Sequence, residues 1–318
     1  MVKEMKKYNL ILTIFFSIFI IYSLINIKET NNSTMQVITT FSKNILPALL
    51  PFLILNQLMI KLGIIDFISY FFQFISYPLF KISGKGASII IIGLLNGFPS
   101  SAIFTSLMLL DKQIEKEEAQ RLVNYIFFPS ISFLFAIISP NLNNNLLFTY
   151  LTLSLYLSGF IFLYISSFKV HKEETYVSFK DTIYTIKNKL NTFIFAKNIK
   201  EIITYAFSTL LNILGIIVIF SIPCNIIDKL ITSNYSYLFE GLIEFSLPSI
   251  KLSLLNINKK TIVLLLSAIV SFSSLSSIMQ ASLFINEASL NTKQFIINRI
   301  LISFFTIILL SLFLFFLQ

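Results

Sequence analysis

Six long uncharged runs of apolar residues constrain this chain more than any other feature of its sequence. They are Tyr8–Ile27, Ala87–Leu110, Leu122–Phe168, Ile202–Ile227, Thr261–Asn286 and Ile300–Gln318. A helix needs about 20 apolar residues to cross a hydrocarbon core of about 30 Å, because each residue advances it by about 1.5 Å. The run at 122–168 is too long for one helix and divides at the turn-rich stretch 139–145. We therefore expect an all-α integral membrane protein.

Composition excludes several other classes of protein. Charged residues make up 12% of the 318 residues and hydrophobic residues 56%, whereas a soluble domain carries about 25% charged residues. So few charges cannot cover a water-facing surface, which excludes a soluble enzyme, a disordered chain and a nucleic-acid binder. The single cysteine, Cys224, excludes an internal disulfide and a cysteine-cluster metal site. No catalytic constellation or cofactor motif is visible, so we expect no enzymatic activity, no metal and no cofactor.

Two apolar segments are too interrupted to be simple spans. Segment 44–60 contains two prolines, and segment 202–223 contains an asparagine, a glycine and a proline. Proline removes a backbone donor, and non-helical backbone at membrane depth survives only when it is shielded by protein or faces water. We therefore expect each segment to form a re-entrant hairpin. The amphipathic segments 62–80 and 236–250 are expected to lie at the membrane interface.

About six spanning helices remain, and charge sets their direction. They are 8–27, 87–110, 122–138, 146–168, 261–286 and 300–318. With the N-terminus inside, the cytoplasmic loops hold most of the 24 basic residues, which obeys the positive-inside rule. Both termini are then cytoplasmic, and the two halves are related by inverted topology, a common transporter architecture. If 44–60 is counted as a full span, the distribution of basic residues between the two sides is also acceptable. The inverted topology of the two halves is therefore the reason to prefer hairpins.

This topology divides the chain into four parts. They are an N-terminal membrane anchor helix at 1–36, a first repeat at 37–168, a charged cytoplasmic linker at 169–201 and a second repeat at 202–318. A cleaved signal peptide is the alternative interpretation of 8–27, but no small-residue cleavage site follows it.

Two spans carry polar interruptions at corresponding places in the two halves. The first contains Asn96, Gly97, Pro99, Ser100 and Ser101, and the second contains Ser273, Ser274, Ser276, Ser277 and Gln280. A half-helix that begins at such a break presents unpaired N–H groups and a positive dipole end, which favour an anionic or polar ligand. The alternative is a kinked helix, or a tight helix contact, packed through small residues. Because both halves are interrupted, we predict that these residues bind a substrate.

A pair of acidic residues is the other candidate feature. Glu240 and Glu244 are spaced i, i+4, which puts them on one face of a helix. Acidic residues near the membrane are costly and are functional candidates by default. If buried, they could couple transport to a proton or a sodium ion. If exposed, they form the wet face of an interfacial helix.

Three motifs resemble a known family. Leu46–Phe52 (LPALLPF), Gly97–Ala102 (GFPSSA) and Glu118–Val123 (EAQRLV), with Phe239–Glu244 and Ser273–Gln280 in the second half, are similar to the sporulation integral membrane proteins of the YlbJ type. That family carries the nucleoside-recognition, or Gate, domain. Two departures stand out: Ser101 replaces the usual glycine, and 124–128 is more apolar than the family pattern.

The resemblance implies a fold and a function. It implies a core like that of the concentrative nucleoside transporters, and transport of dipicolinic acid toward the forespore during spore cortex formation. Dipicolinate is a small dianion, so the proposed half-helix starts would suit its carboxylates. The expected location is the cell membrane or a membrane around the forespore. The expected partners are membrane lipids and the solute, and the chain could also form a homo-oligomer. The rival hypotheses are a nucleoside transporter and a non-transporting membrane scaffold of a sporulation or envelope complex.

Overall fold

The computed structural model describes residues 13–14, 17–170, 176–231 and 236–316, and these form helices and connecting segments without a strand. Residues 17–25 are helical, and the rest of the anchor predicted at 8–27 lies mostly outside the described residues. The helices of the first half are Ile27–Thr40, Leu46–Lys61, Ile64–Phe80, Gly84–Asn96, Ser100–Leu110, Lys116–Tyr125, Ile131–Leu142 and Asn145–Ser167. Those that follow are Phe179–Thr192, Phe195–Leu230, Ser236–Ile243, Ser246–Ser253, Lys259–Phe272, Ser274–Glu287 and Thr292–Phe315.

Length and hydropathy confirm an all-α integral membrane protein. Among the described residues, four helices are long and apolar enough to cross a membrane, or up to six if two bent pairs are each counted as one span. The four are Asn145–Ser167, Phe195–Leu230, Lys259–Glu287 and Thr292–Phe315. The bent pairs are Ile27–Ile45 with Leu49–Lys61, at 55°, and Ile64–Phe80 with Gly84–Asn96, at 99°.

The span predicted at 87–110 is a helical hairpin instead. The Ser88 hydroxyl lies 3.8 Å from the Met108 sulfur, although 20 residues of continuous helix would separate them by about 30 Å. The chain must therefore reverse at 97–99, between Gly84–Asn96 and Ser100–Leu110. We call this pair hairpin 1. The prediction was wrong here because a kinked span and the tip of a hairpin both use glycine and proline, so these residues do not show whether the chain continues or reverses.

A second hairpin occupies the segment predicted to be one interfacial helix, 236–250. Lys251 Nζ lies 3.5 Å from Glu240 Oε2 and 5.4 Å from the Tyr237 ring. The chain must therefore reverse between Ser236–Ile243 and Ser246–Ser253, which we call hairpin 2. Gly241 allows this hairpin to lie against the neighbouring helix, because a Cβ there would contact the Ile269 side chain at 2.5 Å.

The segments predicted as re-entrant hairpins, 44–60 and 202–223, are helical throughout. Leu46–Lys61 accommodates Pro47 in its first turn, where no backbone donor is needed, and continues through Pro51. Phe195–Leu230 is one helix of 36 residues. Its glycine at 215 costs only about 1 kcal/mol, which apolar packing along the helix outweighs. Both predictions of a hairpin at these positions were wrong.

Two further helices are interrupted, and each passes from one end of the bundle to the other. Broken helix 1 consists of Lys116–Tyr125 and Ile131–Leu142, with non-helical backbone at 126–130, so the continuous span predicted at 122–138 was wrong. Broken helix 2 is Lys259–Glu287, interrupted at Ser273 as the polar stretch predicts. Ser273 adopts a left-handed conformation with φ 76°, which is rare for a residue other than glycine.

Contacts identify the two ends of the bundle. At the first, which we call the linker end, Lys61 pairs with Glu201 at 2.7 Å, and the Asn291 N–H donates to Gln120 Oε1 at 2.6 Å. At the opposite end, Lys259 Nζ donates to the Leu142 carbonyl at 2.6 Å. Both termini of hairpin 1 are at the linker end, and both termini of hairpin 2 are at the opposite end. The hairpins therefore enter the bundle from opposite ends.

This arrangement changes the predicted direction of the last helix. Loops 111–115 and 288–291 lie at the same end, whereas the charge count placed them on opposite sides. Thr292–Phe315 runs from the linker end to the opposite end, so a cytoplasmic linker and a cytoplasmic residue 315 are incompatible. The error arises because the predicted span 87–110 reverses and the predicted hairpin 202–223 crosses. The four-part division of the chain stays a prediction.

Candidate functional site

The two hairpin tips meet at the centre of the bundle. The Phe98 ring of hairpin 1 packs edge to face with Phe245 of hairpin 2, with 4.9 Å between ring centroids. Broken helix 1 completes the cluster, since Phe127 stacks on Phe98 at 5.2 Å and Phe133 contacts Phe245 at 5.0 Å. Aromatic pairs at these distances stabilise the contact beyond their buried area. The tips and the helix interruptions of both halves therefore form one structural centre.

Hairpin 1 approaches broken helix 1 so closely that its tip requires glycine. Gly97 has φ 69° and ψ −164°, and a Cβ there would lie 2.9 Å from Ser130 Cα and closer still to the Ser130 nitrogen. Next to it, the Phe98 N–H donates to the Phe128 carbonyl at 2.8 Å. The apolar stretch 124–128 thus contributes backbone polar groups and aromatic walls, while the side-chain polar groups of the centre come from other elements.

A cavity of about 640 Å³ lies beside this aromatic cluster. Seven of the twelve predicted binding and coupling residues line it: Asn96, Pro99, Ser100, Ser276, Ser277, Gln280 and Glu244. The other five lie elsewhere. Gly97 packs against Ser130, Ser101 is buried beside Gly93, and Ser273 and Ser274 are buried at the interruption of broken helix 2. Glu240 lines a second cavity. The structure therefore brings together residues from both predicted interruptions.

Polar side chains that the motifs did not identify also line the cavity. They are Asn56, Ser130, Ser132, Tyr205, Ser208, Thr209 and Asn212. The Asn56 amide donates to the Asn96 side-chain oxygen, which ties Leu46–Lys61 to the tip of hairpin 1. A signal for the long helix was present in the sequence, since positions 205, 208, 209 and 212 recur at helical spacing and form one polar stripe.

Helix starts around the cavity differ in how their N–H groups are satisfied. The starts at Ser100 and Ser274 have no side-chain cap. At Ile131, the Ser130 hydroxyl accepts from the Phe133 N–H at 3.0 Å. At Ser246, the Glu244 carboxylate accepts from the Ser246 N–H at 2.9 and 3.0 Å and from the Leu247 N–H at 3.2 Å. At the first of these starts, the Ser101 N–H already donates to the Gly97 carbonyl at 3.2 Å and the Ala102 N–H to the Pro99 carbonyl at 3.1 Å, so a ligand with acceptor oxygens would meet the positive end of the helix and the Ser100 side chain. The start at Ser274 is buried, and the residues of that helix start that line the cavity are Ser276 and Ser277.

Glu244 is the charged group of this cavity among the described residues. Its side chain is buried, at 3% exposure, and its two carboxyl oxygens accept hydrogen bonds from the backbone donors at the start of Ser246–Ser253, which lowers the cost of burying them. A solute in the cavity therefore contacts hydroxyls, amides, aromatic rings and helix starts. This chemistry suits a small polar molecule.

Arg299, which the charge count assigned to an outside loop because it borders the apolar run 300–318, is buried behind the site at 1% exposure. Its guanidinium donates to the Phe127 carbonyl at 2.7 Å and to the Asn124 carbonyl. These carbonyls belong to the end of Lys116–Tyr125 and to the interruption that follows it, where no intrahelical donor is available. Arg299 therefore stabilises the non-helical backbone of broken helix 1 from outside the cavity.

Comparison with known proteins gives one full-length relative. The chain is 23% identical over 330 aligned residues to "Sporulation integral membrane protein YlbJ" of Bacillus subtilis (strain 168), and the alignment covers 94% of this chain and 81% of that protein. No family model matches the chain. No solved structure matches it either. The similarity confirms the predicted resemblance to the YlbJ type, while the Gate domain stays a prediction.

Proposed function

We propose that this membrane protein transports a small polar solute, which binds in the central cavity between the tips of hairpins 1 and 2. The observation that supports the proposal is the convergence of two hairpin tips and two helix interruptions on one cavity of about 640 Å³, whose mostly apolar walls carry a set of hydroxyl and amide groups. A merely kinked pair of helices would pack its small residues together and leave no such space. Interrupted helices around a central site, in halves that enter from opposite sides, are an architecture of secondary transporters.

The solute class follows from the groups around the cavity. Hydroxyls and amides can donate and accept, and the positive end of the helix that starts at Ser100 favours acceptor oxygens such as those of a carboxylate. Dipicolinate, which the family resemblance implies, has such oxygens and is the first solute to test. A nucleoside such as uridine is the second, because its ring could stack among the phenylalanines and its hydroxyls could bond to the serines.

We propose that the linker end faces the cytoplasm. Many basic residues of the described chain are at that end: Lys61, Lys81, Lys85, Lys112, Lys116, Arg121, Lys169, Lys180, Lys187, Lys189, Lys197, Lys200 and Lys293. The opposite end carries fewer, namely Lys28, Lys229, Lys251, Lys259 and Lys260. An excess of Lys and Arg in short loops marks the cytoplasmic side. The relative's name supports a sporulating cell as the setting. The family resemblance adds a membrane around the forespore as one location to test.

Uptake into proteoliposomes tests the function directly. Labelled dipicolinate and labelled uridine are offered to vesicles that contain the purified protein and to empty vesicles. The proposal requires uptake of one of them above the empty-vesicle level. If neither enters in either protein orientation, with or without a proton or sodium gradient, the scaffold hypothesis replaces the transporter. A scaffold should lose partner proteins when the linker at 169–201 is altered.

A serine variant tests the site. Replacing Ser100, Ser276 and Ser277 by alanine removes three cavity hydroxyls. Each hydrogen bond contributes about 0.5–1.5 kcal/mol, so the half-saturating solute concentration should rise by about tenfold or more. Ser101→Ala is the matched control, because its hydroxyl is buried away from the cavity and has no partner among the described residues. Equal uptake by the triple variant and the control would remove this site assignment.

A further inference from the structure

A second cavity of about 310 Å³ lies between hairpin 2 and the helices Ile27–Thr40 and Phe195–Leu230. It is at the end of the bundle opposite the linker, where both termini of hairpin 2 lie. Its walls are mixed, and the polar lining residues include Ser33, Gln36, Asn44 and Asn225. Glu244 and Ile217 line both this cavity and the central one, so the two spaces adjoin at these side chains.

Glu240 is the residue of this second cavity whose carboxyl group lacks a hydrogen bond at one oxygen in the described chain. Its side chain is 1% exposed, and its Oε1 atom has no hydrogen-bond partner among the described residues. Its Oε2 atom lies 3.5 Å from Lys251 Nζ. An unsatisfied buried carboxylate oxygen costs free energy, and such a group commonly binds a proton instead of keeping its charge.

The groups that face Glu240 come from each element packed around it. Asp228 on the long helix is held nearby, since its Oδ1 accepts from the Ser236 hydroxyl at 3.0 Å. Cys224, on the same helix, donates to the Glu240 backbone carbonyl at 3.7 Å. Lys251 comes from the second arm of hairpin 2. Broken helix 2 presents the apolar Ile269 to this hairpin. Lys251 is the cation that contacts Glu240. Because Glu244 and Asp228 also lie close to Glu240, acidic groups outnumber this lysine around the cavity.

Glu240 and Glu244 are also connected through the backbone. They lie one helical turn apart, and the Glu244 N–H donates to the Glu240 carbonyl at 2.8 Å. When both carboxylates are charged they repel each other, and the repulsion is strong because both are shielded from water. Neutralising Glu240 would therefore favour the charged Glu244 that caps the tip of hairpin 2 at the wall of the central cavity.

We propose that the second cavity is a proton-uptake site, in which Glu240 takes a proton from the end of the bundle opposite the linker and couples it to the central cavity through Glu244. The proton passes from a hydronium ion to Glu240 Oε1, which leaves water and a neutral carboxyl group. Proton binding is a property of the cavity itself, whereas its coupling to a solute rests on the proposed transport. A proton that enters with the solute would offset part of the charge of an anionic molecule.

Infrared difference spectroscopy of the protein in lipid tests proton binding without any solute. Acidification protonates exposed carboxylates as well, so the signal of Glu240 is the part of the protonated-carboxyl band that the wild type shows and Glu240→Gln lacks. This part should be shifted but present in Glu240→Asp, and it should keep its frequency and its pH of onset in the control Glu287→Gln, whose side chain is exposed. Identical carbonyl bands in the wild type and Glu240→Gln, or a Glu240 signal that sodium removes at constant pH, would overturn the proposal.

Uptake under imposed gradients tests the coupling. An inward proton gradient should stimulate dipicolinate uptake by the wild type and by Glu287→Gln, and the stimulation should be lost in Glu240→Gln while exchange without a gradient remains. Stimulation that survives in Glu240→Gln, or that follows a sodium gradient alone, would refute coupling at this residue. If no variant transports either solute but the infrared band depends on Glu240, proton binding stands and the transport proposal fails.

Discussion

Replacing Gly97 by alanine is expected to push the tip of hairpin 1 away from broken helix 1. The backbone there has φ 69° and ψ −164°, a region that essentially only glycine occupies, so an alanine costs about 1–3 kcal/mol in strain. The new Cβ would lie 2.9 Å from Ser130 Cα and 3.0 Å from the Pro129 carbonyl carbon. Since carbon atoms pack at about 3.5–4.0 Å, the tip has to retreat by about 0.5–1 Å.

That retreat carries Asn96 and Ser100 away from the solute. Two weakened polar contacts at about 0.5–1.5 kcal/mol each amount to about 1–3 kcal/mol. Uptake at low solute concentration should therefore fall by about fivefold to 150-fold. Initial uptake rates in proteoliposomes and thermal unfolding of the purified protein measure the two effects.

Gly215→Ala is the matched control. A Cβ at Gly215 meets nothing within 4 Å, and alanine in a helix is about 0.5–1 kcal/mol more stable than glycine. Gly215 lines the central cavity, so this variant is a control for stability alone, and it should unfold at the same or a higher temperature. Wild-type uptake and stability in Gly97→Ala would refute the close approach of the tip to Ser130 and the binding geometry built on it.

Two further predictions concern the support of the site and the direction of the chain. Arg299→Lys keeps the charge but loses the two-pronged bond to backbone carbonyls, so thermal unfolding should report a loss of about 1.5–3 kcal/mol, while Lys293→Arg on the same helix should be neutral. In a Cys224→Ser background, single cysteines at Lys187 and Lys293 should react with an impermeant thiol reagent from the same side, and one at Asn256 from the opposite side. Labelling of 293 and 256 from one side would contradict the bundle ends assigned here.

Two of the helix interruptions could be predicted from the sequence, but the interruption at 126–130, the tip of hairpin 2 and the path of the chain through the breaks could not. Glycine, proline and clustered serines mark 97–101 and 273–277 because they weaken helix locally. Whether the chain then continues or reverses depends on what packs against it. In hairpin 1 the two arms contact each other through residues such as Ser88 and Met108. The sequence of one arm alone shows no pattern that would predict this pairing.

Side chains that reach the cavity from distant helices were missed for the same reason. Asn56 contacts the cavity only because Leu46–Lys61 passes the tip of hairpin 1, where it bonds to Asn96. Arg299 was placed in a loop because a charge at the edge of an apolar run usually lies in water. In the structure, its charge is satisfied by the carbonyls exposed at the interruption of broken helix 1.

Three features of the centre cost stability, and together they favour a transporter over a scaffold. Ser273 occupies a left-handed conformation, Glu240 is buried with an unpaired oxygen, and the tips of the hairpins surround an open space where closely packed side chains would be more stable. A chain that only had to hold partner proteins would gain free energy by removing each of them. Local rules are broken together mainly where function requires it. All three features lie on the hairpins and interruptions that surround the two adjoining cavities, so the cost is concentrated where a solute and a proton would bind.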